Sequence, residues 1–153
     1  MKLAKTVLTI VMLVIISGCS NDDPVNSNPP TGEVLLAQIS GDSVGVSNGS
    51  STKIGSITSQ SLDFTDRDNI RITFHYSGTA NISTSPFSIY YTQDTTDVEI
   101  FNGNNLNYST TEQFKDTTFA SPRVNKHLIY RINTFSISGF SYLKFRDLKI
   151  YKK

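Results

Sequence analysis

The stretch Asn69–Ser77 reads N-I-R-I-T-F-H-Y-S, with Ile70, Ile72, Phe74 and Tyr76 at every second position and Arg71, Thr73 and His75 between them. A side-chain period of two describes a strand with one face in a core and the other in water. The same texture runs outward in both directions. Runs rich in Val, Ile, Phe, Tyr and Thr recur at Val34 to Ile39, Phe87 to Thr92, Asp97 to Phe101, His127 to Asn133 and Tyr142 to Tyr151. Clusters of Gly, Asn, Asp and Ser separate them, which is turn chemistry. Weaker strand candidates lie at Ile54 to Phe64 and Thr117 to Val124. The stretch from Asn102 to Asp116 reads as a long loop with one helical turn around Thr111 to Phe114. No segment shows a sustained helical period with caps.

The closing segment, YLKFRDLKIY, carries its own prediction. Leu143 and Phe145 share one parity and Leu148 and Ile150 the other, so the apolar side flips across Arg146 and Asp147. A β-bulge or a bend at that dipeptide would return both pairs to the core. Residues 33-153 number 121 and hold all nine Phe and seven Tyr, enough for one domain with its own core. The expected fold is all-β, a two-sheet antiparallel β-sandwich of jelly-roll type. The last strand and the segment Ser61 to Tyr76 resemble strands of galactose-binding-like jelly rolls, the sandwiches of many carbohydrate-binding modules. That resemblance implies a fold more than a function.

Lys2 and Lys5 precede an apolar run from Val7 to Ile16, followed by Ser17, Gly18 and Cys19. A cationic head, a short apolar core and a small-residue cleavage site make up an export signal. Only 16 uncharged residues separate Lys5 from Asp22, which suits a signal core better than a membrane span. The segment I-S-G-C resembles the lipobox of bacterial lipoproteins, with Ile16 where Leu is usual. The resemblance implies cleavage before Cys19 and acylation of its thiol, by palmitate and similar chains. Each buried methylene contributes roughly 0.8 kcal/mol, so two or three chains anchor firmly where one binds reversibly. Residues 1-18 are thus expected to be a signal peptide, and 19-32 a lipidated cysteine with a Pro-rich tether that cannot bury enough to order itself. Residues 33-153 form the exported domain. Ser20, where Asp is the familiar retention signal, implies the outer membrane. Asn21, Asp22 and Asp23 fit either a surface-export signal or a solvated tether.

Cys19 is the single cysteine, so a lipidated chain holds no disulfide and no thiol for catalysis or metal binding. Residues 20-114 hold 3 basic and 11 acidic groups, whereas 115-153 hold 9 basic and 2 acidic. The basic end contains Lys144, Arg146, Lys149, Lys152 and Lys153, with Arg123, Lys126 and Arg131 upstream. Exposed together they would favour an acidic glycan or an acidic envelope protein as partner. Interleaved with Asp63 to Asp68 and Asp94 to Glu99, they would be cancelled. Nucleic acid is not an expected partner of an exported domain.

Three acids within six residues, Asp63, Asp66 and Asp68, are oxygen donors of the kind calcium takes. No Glu-terminated loop follows them and Arg67 sits among them, so a turn with solvated acids competes with a structural calcium site. No cofactor is otherwise expected. His75 and His127 lie at positions facing away from the apolar side, with no ligand spacing between them. There is no G-x-S-x-G, phosphate-cradling Gly loop or H-E-x-x-H. Asp94, Asp97, Glu99 and Glu112 are carboxylates for a glycosidase pair only if the fold sets two across a groove. An aromatic platform for sugar would draw on Tyr90, Tyr91, Tyr108 and Tyr142, without Trp. The ligand-contacting set expected from the sequence is Tyr90, Tyr142, Lys144 and Arg146, with no catalytic residue. The resulting expectation is a lipid-anchored, non-catalytic binding module for glycan or another envelope ligand. Its rivals are a structural or protein-interaction lipoprotein and, third, a glycan-active enzyme.

Overall fold

In the computed structural model, residues 32–79 and 86–153 are described. The expected signal peptide, Cys19 and most of the expected tether lie outside them. Ten strands follow in order: β1 (Val34–Val46), β2 (Gly49–Ser56), β3 (Leu62–Asp63), β4 (Asn69–Gly78), β5 (Phe87–Gln93), β6 (Thr96–Asn102), β7 (Gln113–Ala120), β8 (Asn125–Lys126), β9 (Ile129–Ser136) and β10 (Ser141–Lys152). There is no helix among the described residues.

Eight of the strands make two four-stranded sheets, β1-β10-β4-β7 and β2-β9-β5-β6, while β3 and β8 pair by themselves. Every pairing is antiparallel. Among these eight strands the chain changes sheet at every connection but the β5–β6 hairpin. Eight strands interleaved in this way are a jelly roll. Because neighbours run antiparallel, Val34 and Lys152 lie together at one end, called here the near end. The β1–β2, β6–β7 and β9–β10 connections, with the end of β4 and the start of β5, gather at the opposite, far end. The 12 residues of β10 put ~40 Å between the two at ~3.3 Å per residue.

β4 is one of the two inner strands of its sheet and carries the alternation that led to the fold. Ile70, Ile72 and Phe74 are fully buried, and Arg71 and His75 lie on the half-exposed outer side. Phe74 packs edge-on to Phe87 at 4.9 Å and to Phe101 at 5.6 Å, and Phe87 meets Phe145 at 5.1 Å, so rings from both sheets interlock. Each such side chain contributes about 1.5–3 kcal/mol by leaving water, the driving term in a domain with no disulfide.

The bulge in β10 is present. Arg146 faces His75 and Lys149 faces Thr73, so Asp147 and Leu148 together oppose Phe74. Asp147 has φ 52°, a left-handed conformation that Asp tolerates better than most residues. Leu143, Phe145, Leu148 and Ile150 are all buried as a result. On the other flank Gly41 faces Arg146 with φ 131°, and a Cβ there would lie 2.6 Å from the Arg146 Cα. A glycine is required for β1 to follow the bulged strand.

Three expectations are corrected. β1 runs on through Ser40, Gly41, Asp42 and Ser43, because pairing with β10 holds these turn-forming residues extended. The Ile54 to Phe64 candidate divides into the end of β2 and the short β3. The loop after β6 ends at Glu112 and contains no helical turn, since Gln113 already pairs with Tyr76 in the β4–β7 ladder.

Candidate functional site

Tyr142, Lys144 and Arg146 alternate with the buried Leu143 and Phe145, so all three stand on the outer face of the β1-β10-β4-β7 sheet. They occupy ~13 Å of strand, from the far end down to the bulge. Phe140, in the β9–β10 connection, stacks on Tyr142 with ring centroids 6.2 Å apart and planes 19° from parallel. It remains 66% exposed. Its ring fills the notch at Gly45, where a Cβ would lie 2.6 Å from the Phe140 Cζ.

Arg146 donates from Nε and Nη2 to the Glu112 carboxylate at 2.7 and 2.5 Å, and its Nη1 pairs with Asp147. This clasp holds the Glu112 carboxyl below its ordinary range, chiefly through the Arg146 hydrogen bonds, with His75 and Lys144 adding to the effect. His75 packs its ring on Phe114 at 5.0 Å, closing the side of the face toward β7. Lys144 is exposed and has no salt bridge among the described residues. An open depression of about 430 Å³ lies beside this row, bordered by Asp42, Ser43, Lys144 and Arg146. At its far end the face therefore offers two stacked rings, the Lys144 ammonium and a fixed guanidinium–carboxylate pair.

Tyr90 does not belong to this site, which corrects the expected grouping. It lies in β5, in the other sheet, buried beneath the Arg131 guanidinium 4.6 Å from its ring centroid. Arg131 in turn donates to Asp97 at 2.9 Å. Tyr91 is in the core, and Tyr108 donates to the Gly103 carbonyl at 2.9 Å while packing edge-on to Tyr76. Burial pushes the Tyr108 phenol upward. Neither is a platform. Phe140 was missed by the sequence reading because it sits in a Gly-Ser turn. The spacing Phe140-x-Tyr142 at the mouth of a strand was the available signal.

The three acids Asp63, Asp66 and Asp68 are not gathered. Asp63 accepts hydrogen bonds from the Thr65 amide at 3.0 Å and hydroxyl at 2.6 Å, closing its own turn. Asp66 pairs with Lys152 at 2.6 Å, and Asp68 with Arg123. No group of three or more potential metal ligands occurs among the described residues. Of the carboxylates considered for glycoside cleavage, Glu112 is clasped on one sheet and Asp97 on the other.

The basic end of the chain is largely cancelled. Arg123, Arg131, Arg146, Lys152 and Lys153 pair with Asp68, Asp97, Glu112, Asp66 and Glu33. Of the eight cations that the sequence set apart, Lys126, Lys144 and Lys149 have no salt bridge among the described residues.

No protein-family model matches the chain. No curated protein matches it either. A solved structure titled as that of infectious bursal disease virus Gx strain is similar over 78% of this chain, at 13% identity and a TM-score of 0.44. This chain covers 30% of that viral chain, and a likeness so distant has no bearing on function.

Proposed function

We propose that the chain is an exported lipoprotein anchored through Cys19, whose domain is a non-catalytic glycan-binding module. The ligand lies on the outer face around Phe140, Tyr142, Lys144 and Arg146. The observation that carries this reading is the exposed, nearly parallel Phe140–Tyr142 ring pair beside polar groups already fixed in place. Rings held by neighbouring strands lose little entropy on binding, and a few placed polar groups supply orientation. With Arg146 committed to Glu112, the ligand meets one available cation, Lys144, so recognition is by stacking with a single ionic contact. An acidic sugar fits that arrangement better than a polyanion.

The position of this face suits the proposed anchor. Residue 33 enters at the near end, and the ring pair stands at the far end, pointed away from a lipid-held amino terminus. On this reading the domain stands on the outer membrane with its ligand face outward.

The test is a panel of immobilised neutral and acidic glycans probed with the unacylated mature chain and with a Phe140→Ala, Tyr142→Ala variant. Binding by the parent and loss in the variant, with an unchanged circular-dichroism spectrum, is expected. No glycan bound, or equal binding by the two proteins, would overturn the proposal and leave the structural-lipoprotein reading in its place.

A further inference from the structure

The edge strands β6 and β7 belong to different sheets but flank the same side of the sandwich, and there the sheets fail to close. Inward-facing residues of this edge, Val98, Ile100 and Phe119, are only partly buried although they pack against the core. Against Ile100 and Phe119 lies a half-open cavity of about 280 Å³, lined by Ile100, Phe101, Leu106 and Phe119 together with Lys115 and three uncharged polar residues. Lys115 pairs in register with the fully buried Phe74, so its stem enters on the core side of β7. The neighbouring carboxylate, Asp116, is on the outer side and clasped by Arg71 at 2.8 and 2.7 Å. Lys115 has no salt bridge among the described residues.

A slot lined half by apolar and half by polar residues, with an ammonium among the polar ones, is complementary to an amphiphile with a negative head. Its volume falls near the lower end of small-ligand pockets, roughly 300–1,000 Å³. The lining residues run along β7 from Lys115 to Phe119, ~13 Å, which favours an elongated body. We propose that this slot binds a medium-chain aliphatic carboxylate, its chain against Ile100, Phe101, Leu106 and Phe119 and its head on the Lys115 ammonium. The site is separate from the outer face that carries the glycan proposal and stands independently of it.

An inward-pointing lysine also guards an edge strand against pairing with another chain, and the experiment separates the two roles. Octanoate, octanol and octylamine are titrated calorimetrically into the unacylated mature chain, its Lys115→Met and its Lys115→Arg variants. Octanoate should bind the parent more tightly than octanol by about fivefold, the worth of a partly exposed ion pair, and octylamine weakest. Lys115→Met should erase that preference and Lys115→Arg keep it. Equal binding of octanoate and octanol, no binding of octanoate, or a preference indifferent to Lys115→Met would overturn the proposal. If Lys115→Met self-associates, the preference is read from Lys115→Gln, and a parent that does not bind octanoate then assigns the lysine to edge protection alone.

Discussion

The Tyr130 hydroxyl, on β9, donates to the Asp42 carboxylate, on β1, at 2.6 Å, joining the two sheets across 88 residues of chain. Lys53 and the Ser43 amide complete the shell of Asp42. Gly55 makes room for the tyrosine, since a Cβ there would lie 2.7 Å from the Tyr130 Cε1. Burial alone would raise the Asp42 carboxyl, but hydrogen bonds from Lys53, Tyr130 and Ser43 outweigh it and hold the group below its ordinary 3.8. Burial, and then Asp42, push the Tyr130 phenol from 10.0 up to about 12.

The pair therefore makes stability depend on pH at both extremes. A depressed carboxyl contributes stability above its unfolded value of 3.8, and that contribution is lost as pH falls through the lower folded value. A raised phenol contributes stability below 10.0, and it is lost as pH rises toward about 12. Tyr130→Phe should cost about 1.5–3 kcal/mol at neutral pH, the worth of a hydrogen bond to a charged acceptor. Urea unfolding of both proteins across pH should show the difference shrinking above pH 10.0. A difference constant to the alkaline limit would contradict the assignment.

Gly41 and Gly49 both have positive φ, 131° and 84°, but only Gly41 is crowded. Gly41→Ala must meet the Arg146 backbone as well as strain its own, and is expected to cost about 2–4 kcal/mol. Gly49→Ala, with nothing within 4 Å, should cost about 1–2 kcal/mol from the dihedral alone. Thermal unfolding of the two variants measures the difference. Equal melting temperatures would mean that β1 moves freely off the bulge.

The bulge shows what a single sequence makes legible. The parity flip between Phe145 and Leu148 is local, and so is the Asn69–Ser77 alternation, because both follow from a period of two and the need to bury apolar groups. β7 was less legible for a physical reason. As an edge strand it buries neither side fully, leaves Phe114 58% exposed and turns Lys115 inward, so no clean alternation is left to read. The grouping of Tyr90 with Tyr142, and the isolation of the Asp63, Asp66 and Asp68 carboxylates, depend on strand order. Asp68 meets Arg123 across 55 residues, a pairing that composition can suggest only as general cancellation.

If the proposed anchor is right, Cys19→Ala abolishes incorporation of a palmitate analogue when the chain is expressed in a bacterium, and releases the domain from membranes. Label retained in the variant would remove the anchor on which the export proposal depends. Protease added to intact cells should degrade the domain if the outer-surface placement holds, and protection until lysis would place it in the periplasm.

Where the chain enters the domain, Arg71 bridges two carboxylates and covers a ring. It donates to Asp116 through Nε and Nη2 and to Glu33 through Nη1 at 2.9 Å, and its guanidinium lies 5.4 Å from the centroid of Tyr151. The Glu33 side chain is 1% exposed, and the Lys153 Nζ stands 3.4 Å from its Oε1 without completing a hydrogen bond. Removing Arg71 therefore leaves a buried carboxylate short of its main counter-charge. Arg71→Met keeps most of the stem that covers Tyr151 and should cost about 2–3 kcal/mol, near the lower end for breaking a buried pair. Adding Glu33→Gln to that variant removes the stranded charge and should recover about half of the loss, because the amide tolerates the same enclosure. A double-mutant cycle by urea unfolding supplies the test. If Glu33→Gln gives the same change with and without Arg71, the pair is uncoupled and Arg71 acts through Asp116 and Tyr151 alone.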